Sequence, residues 1–250
     1  MRPKKRVSTY YNSFRKLWAH RFDPTLPTMF DLPCENPLTD GLPDSFHRIQ
    51  PQLLSETFVP PNYPRQQILM ATNLYLYYDL AHTLRYKIPD WFVVLGVPRG
   101  QTVSELRLSY VMWQENVAPY LIVELLSPGT EDEDLGPLLK PLPTPSIAKT
   151  RTRQPKKWKV YEQILQVPYY LVYDRYTEKL QAFQLVNGRY QEVELTGQGF
   201  WLPEVQLGIG LWFSCYHEVK GRWLRFYDAQ GRWLPTHEEA RQSAEQQASK

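Results

Sequence analysis

The chain has 250 residues at 29.6 kDa, 42% hydrophobic and 14% aromatic, which is ample for a buried core and excludes disordered or collagen-like architectures. Lys+Arg 29 against Asp+Glu 26 leaves a net charge of +3, so the chain does not coat nucleic acid through bulk charge, and any polyanion site must be local. Cys34 and Cys215 form no disulfide framework and lack zinc-ligand spacing, and the five histidines are scattered, which argues against a His-rich metal centre.

Met1 to Arg6 carries the charge of a signal-peptide n-region, but no apolar h-region follows, and no apolar run is long enough to span a bilayer. The expectation is a soluble, cytoplasmic protein. Prolines, 22 in all, punctuate the first quarter so closely that residues 1–63 read as an irregular N-terminal wrap with no long helix. Two short helices compete there. One starts at Pro64 and uses Ile68, Leu69 and Ala71 as its apolar face; the other runs around His47 to Phe58 with Pro51 in its first turn.

Leu74 to Tyr78 then reads as a strand, and Ile88 to Val97 as a second that is apolar on both faces after Asp90. Ala118 to Ser127, apolar except for Glu124, reads as a central strand of a sheet covered on both sides. A second proline cluster, Pro137 to Pro145, makes a long loop. Lys156 to Gln166 predicts a helix with Val160, Tyr161, Ile164 and Leu165 on one side and Lys159, Gln163 and Gln166 on the other. Tyr169 to Asp174 is a further strand, and Lys179 to Val186 with Arg189 to Leu195 form a hairpin around Asn187-Gly188. Arg222 to Tyr227 and Arg232 to Leu234 suggest another hairpin, around Gln230-Gly231. The chain closes with a capping box at Thr236-His-Glu-Glu239 and a short helix, giving a division into 1–63, a core of 64–235 and a tail of 236–250.

Two carboxylates sit where carboxylates are costly: Asp90 at the start of one apolar strand and Glu124 inside Leu-Ile-Val-Glu-Leu-Leu. Burial of a charge needs a partner. An internal ion pair with a lysine or arginine is the plain explanation; a shared Mg²⁺, which takes oxygen ligands and keeps open water positions, is the functional one. Lys149, Arg151, Arg153, Lys156, Lys157 and Lys159 lie in a stretch without an acid, which reads either as a solvated face or as a phosphate grip. Residues four apart share a helix face, so Lys156 stacks above Val160 and Lys157 above Tyr161, and spacing does not choose between them.

These blocks together, Ile-Pro-Asp90, Tyr-Leu-Ile-Val-Glu124-Leu-Leu-Ser-Pro-Gly-Thr130, Lys157-Trp-Lys-Val-Tyr161 and Val-Pro-Tyr-Tyr-Leu-Val-Tyr-Asp174, resemble the Uma family of endonuclease-like proteins, abundant in cyanobacteria. The similarity runs from about Pro64 to about Trp233. That family belongs to the PD-(D/E)XK superfamily, and the resemblance implies an α/β, restriction-endonuclease-like core: a mixed central sheet flanked by helices, here with a β-rich C-terminal extension. It also implies that Asp90 and Glu124 bind a divalent cation, Mg²⁺ or Mn²⁺, with the Leu125 backbone carbonyl as a further ligand. The motif's lysine would stand at 126, on the face of Glu124, but the chain has Leu126. In the resembling family the lysine comes from the following helix in a Lys-X-X-X-Tyr pattern, and this selects Lys157.

The leading expectation is therefore a metal-dependent DNA endonuclease with Asp90, Glu124 and Lys157 as catalytic residues and Lys149, Arg151, Arg153 and Lys156 on phosphates. The resemblance also suggests a homodimer, because restriction-type enzymes often pair to cut both strands. Leu126 motivates a rival, a nuclease-like scaffold that binds nucleic acid or a protein without cutting. A glycosidase pair is a third reading, and the lysine beside the acids argues against it.

Overall fold

Alternating and doubly buried apolar stretches pair into a central sheet, and the crossover between two of its strands carries the basic helix. The computed structural model describes residues 44–127, 129–138 and 154–249. In chain order these form α1 (Ser45–Thr57), β1 (Ile68–Ala71), β2 (Leu76–Tyr77), β3 (Tyr86–Lys87), β4 (Trp91–Leu95), β5 (Tyr110–Val111), α2 (Met112–Glu115) and β6 (Leu121–Leu125). Then follow α3 (Glu131–Asp134), α4 (Lys157–Lys159) running into a π turn (Val160–Ile164), and β7 (Tyr169–Asp174). The rest is β8 (Lys179–Val186), β9 (Arg189–Val193), β10 (Gly199–Leu202), β11 (Leu207–Tyr216), β12 (Val219–Tyr227) and α5 (His237–Ala248).

The architecture is mixed α/β: a six-stranded sheet in the order β1-β4-β6-β7-β8-β9, with β6 and β7 parallel and every other pair antiparallel, plus a three-stranded antiparallel sheet, β10-β11-β12. Parallel neighbours need a long crossover. Residues 126–168 supply it and lay α4 and its π turn on one face of the sheet, against Ile122, Tyr170 and Val172. The other face, with Leu121, Val123 and Leu171, is covered by Leu54 and Phe58 of α1 and by Leu207, Ile209 and Phe226 of the C-terminal sheet. The strand expected at Leu74 to Tyr78 forms as Leu76–Tyr77 and pairs with β3 and β5 in a small separate sheet.

Of the two N-terminal helices the sequence offers, the one around His47 forms, with 13 residues, so the expectation of no long helix before Pro64 is corrected. Pro51 falls in its second turn, not its first. The Asp44 side chain caps the first amides, and burial of Leu53 and Leu54 offsets the bond that proline forgoes. The region after Pro64 makes one 3₁₀ turn and then β1. Ile68 and Leu69 bury on opposite sheet faces, and a short apolar run buried on both faces has no periodicity to separate it from a helix.

The basic helix is also corrected. The Leu165 amide donates to the Val160 carbonyl at 2.9 Å, five residues back, and Val167 to Tyr161 at 2.9 Å. One extra residue in the turn swings Ile164 out to 44% exposure and turns Glu162 inward, where it accepts from the Tyr190 amide (2.9 Å) and Arg189 (3.1 Å). β7 matches its expected bounds. So do β8 and the start of β9 across Asn187-Gly188, whose φ of 51° and 74° are those the tight hairpin turn requires. Near Gln230-Gly231 the second hairpin reduces to a single bridge, Tyr227 to Trp233, because β12 takes β11 as its partner. The capping box at Thr236 forms.

Candidate active site

Antiparallel register brings the two conspicuous carboxylates together. Trp91 of β4 stands opposite Val123 of β6, so the preceding Asp90 stands opposite Glu124, and directly opposed residues share a sheet face. The Asp90 amide donates to Glu124 Oε2 at 3.3 Å, and Asp90 Oδ2 accepts from the Leu125 amide at 2.7 Å. Glu124 is fully buried.

From the crossover, Lys157 Nζ lies 2.9 Å from Glu124 Oε2 and 3.2 Å from Asp134 Oδ1. One turn on, the Tyr161 hydroxyl donates to Glu124 Oε1 at 2.8 Å. Lys157 is thus the lysine that faces the carboxylates. Lys156 precedes the helix in extended backbone, so it does not stack above Val160 as the periodicity predicts; it points outward and pairs with Asp132 Oδ1 at 2.5 Å. Leu126, in the motif's lysine position, is buried in the apolar cluster on this face. Lys149, Arg151 and Arg153, like the N-terminal Arg2, Lys4, Lys5 and Arg6, lie outside the described residues.

Two residues enter the cluster that sequence reasoning passed over. Asp134, 2% exposed at the end of α3, aims Oδ1 at Lys157 without hydrogen-bond alignment. Its only signal is a run of four acids, Glu131 to Asp134, directly after the Glu124 strand. His47, also 2% exposed, places Nε2 2.9 Å from the Leu125 carbonyl oxygen and 4.0 Å from Asp90 Oδ2. Its signal is local: Asp44 three residues earlier, both a helix cap and an acceptor for the ring.

The electrostatics follow from burial. Desolvation pushes the Asp134 carboxyl up to about 6, with Lys157 opposing. Burial also raises Glu124, with Lys157 opposing and the Asp90 charge adding to the rise, and it raises Asp90 against Lys157 and His47. For Lys157 burial disfavours the ammonium, yet Asp134, Glu124 and Asp90 more than compensate and hold it well above the ordinary lysine value. Three carboxylates, two of them buried, therefore surround one part-buried ammonium.

This surplus of negative charge on oxygen donors fits a hard divalent cation. Asp90, Glu124 and the Leu125 carbonyl are the groups that could hold it. Among the described residues no three Asp, Glu, His or Cys side chains form a ready-made ion cage. Such a cation would keep several waters, which is the habit of Mg²⁺. A cavity of about 450 Å³ lined by Arg65, Gln66, Arg99 and Glu105 lies past the far end of β4 from Asp90 and takes no part in this cluster.

No helix among the described residues is long and apolar enough to cross a membrane. Curated proteins provide no match to the chain. Across residues 37–215, well over half of its length, the chain matches the Uma2 family, described as "Putative restriction endonuclease", and it belongs to that family.

Proposed function

We propose that the protein is a divalent-metal-dependent endonuclease that hydrolyses phosphodiester bonds in DNA. The observation that carries this reading is the cluster of Asp90, Glu124 and Lys157 on one sheet face, with Lys157 Nζ 2.9 Å from Glu124, in a chain of an endonuclease family. When bound, Mg²⁺ or Mn²⁺ would supply Lewis-acid polarisation of a phosphoryl oxygen and a more acidic water. The protein's own residues do the rest. Asp90 and Glu124 present carboxylates from facing positions, Tyr161 fixes one Glu124 oxygen, and Lys157 places a permanent positive charge where charge grows on the phosphate. Asp134 adds a second carboxylate beside the Lys157 amine, at 3.2 Å. The cations Lys149, Arg151, Arg153 and Lys156 are assigned to the DNA backbone, where contacts position without reading bases.

Leu126 favours the rival reading of a binding scaffold, but the Lys157 amine supplies on the same face the cation that position 126 lacks. Supercoiled plasmid, linear duplex and single-stranded DNA incubated with wild type and Glu124→Ala, in Mg²⁺, Mn²⁺ or EDTA, separate the two. Cleavage by wild type that needs the metal and is lost in Glu124→Ala supports the endonuclease; DNA retention without cleavage on any substrate supports the scaffold.

A further inference from the structure

His47 is a buried ionisable group to which the endonuclease reading gives no task. It sits in the first turn of α1 and reaches round the end of the central sheet to the strand that carries Glu124. Pairing of β4 with β6 stops at Trp91 and Val123, so on that side the amide and carbonyl of Leu125 meet no strand. The Asp90 carboxylate takes the amide (2.7 Å) and His47 Nε2 takes the carbonyl (2.9 Å), with Ser127 Oγ 3.4 Å from the same nitrogen. The other ring nitrogen, Nδ1, is 2.9 Å from Asp44 Oδ1. A carbonyl oxygen only accepts, so Nε2 is the donor in that contact.

Asp44 is fixed in turn. Its Oδ1 accepts from the Phe46 and His47 amides, and Arg175 holds both of its oxygens while its guanidinium lies over the Phe46 and Tyr176 rings at 4.9 and 4.7 Å. The chain Arg175, Asp44, His47 thus ends on the one backbone oxygen assigned to the cation. A carbonyl oxygen has two lone pairs, so a donor on one leaves the other for a metal.

We propose that His47 is a positioning residue for the cation site: it holds the Leu125 carbonyl in place so that this oxygen, Asp90 and Glu124 present one set of ligands. This rests on the metal-dependent reading above. Partners that orient a metal's ligands from outside its coordination sphere typically change affinity 10- to 100-fold when removed.

The test uses the full chain and Mn²⁺ binding followed by calorimetry and by the spin resonance of free Mn²⁺, with thermal melts of every variant. His47→Gln can place an amide nitrogen where Nε2 stands; the shorter His47→Asn reaches only the position of Nδ1. The expected result is Mn²⁺ binding close to wild type in His47→Gln, about 10- to 100-fold weaker binding in His47→Asn and none in Glu124→Ala. In cleavage, His47→Asn should raise the Mg²⁺ concentration for half-maximal rate while leaving the rate at saturating Mg²⁺ little changed. Equal Mn²⁺ affinities for His47→Gln, His47→Asn and wild type, with Glu124→Ala still deficient, overturn the positioning role and leave the metal site standing. A wild type that binds no Mn²⁺ overturns both.

Discussion

Lys157 and Lys156 are neighbours with the same side chain and opposite fates, and the difference is where the helix begins. Lys157 is its first residue and turns inward to Glu124 and Asp134; Lys156 stands outside it and pairs with Asp132 on the surface. Replacing Lys157 by Ala should lower the DNA cleavage rate about 10²- to 10³-fold, the usual loss on removing one group that stabilises transition-state charge. Lys156→Ala, measured beside it in single-turnover cleavage at saturating enzyme, should stay near wild type. The buried acids give the metal-free protein a characteristic pH dependence. Asp134, raised from 3.8 to about 6, binds its proton more readily folded than unfolded, so stability rises as pH falls through about 6 toward 4. A shift of that size corresponds to roughly 2–3 kcal/mol. Asp44 has the opposite sign: burial opposes its ionisation, but His47 and Arg175 hold it well below the carboxylate range. Its contribution is present above about pH 4 and is lost on further acidification. Urea denaturation in EDTA should therefore show a stability maximum near pH 5, and Asp134→Asn should flatten the neutral side; a monotonic rise from pH 5 to 8 in wild type would contradict this. At this scale Asp90 and Glu124 were legible because an acid in an apolar strand is an anomaly. Asp134 was hidden among three other acids, and His47 was hidden because its partner is a backbone carbonyl that no side-chain pattern reveals.

The crossover element places Lys157 and Tyr161 one turn apart above the sheet, and its π turn adds a residue without disturbing them. Tyr161→Phe removes the donor to Glu124 Oε1 and leaves a buried oxygen unpartnered, which should cost about 1–3 kcal/mol in chemical denaturation. The C-terminal sheet is equally intolerant where β10 and β11 approach. A Cβ on Gly199 would lie 2.1 Å from the Ile209 carbonyl oxygen and 2.7 Å from Gly210 Cα, backbone atoms that cannot turn aside. Gly199→Ala should thus destabilise by about 1–3 kcal/mol, read from the same denaturation curves. Elements with local signals were legible from the sequence: β7 by its apolar density, β8 and β9 by Asn187-Gly188, α5 by its capping box. α1 was ambiguous because the segment after Pro64, with its own proline start and apolar Ile68, Leu69 and Ala71, offered an equal helix signal. β1 was missed because Ile-Leu-Met-Ala buries on both faces, and the π turn has no signature in side-chain spacing.

For the whole molecule, a net charge of +3 is the sum of opposed local charges, with acids at the ends of β4 and β6 and a run of cations from Lys149 to Lys159 between β6 and β7. DNA affinity should then come from a few neutralised phosphates rather than from the overall field. Replacing Lys149, Arg151 and Arg153 together by Ala should weaken binding of unrelated duplexes alike and reduce the slope of log K against log salt by about 0.9 for each phosphate that is no longer neutralised. The fold itself, a mixed sheet with one parallel pair, was implied by the family resemblance more than by periodicity, because strand order depends on pairings that no single segment encodes. The assignment of Asp90, Glu124 and Lys157 is tested by metal-dependent cleavage of a labelled duplex by wild type, Asp90→Ala, Glu124→Ala and Lys157→Ala, purified alike. Wild type should cleave in Mg²⁺ or Mn²⁺, EDTA should abolish that cleavage and each substitution should severely reduce it; equal activity in all four proteins would overturn the metal-dependent assignment.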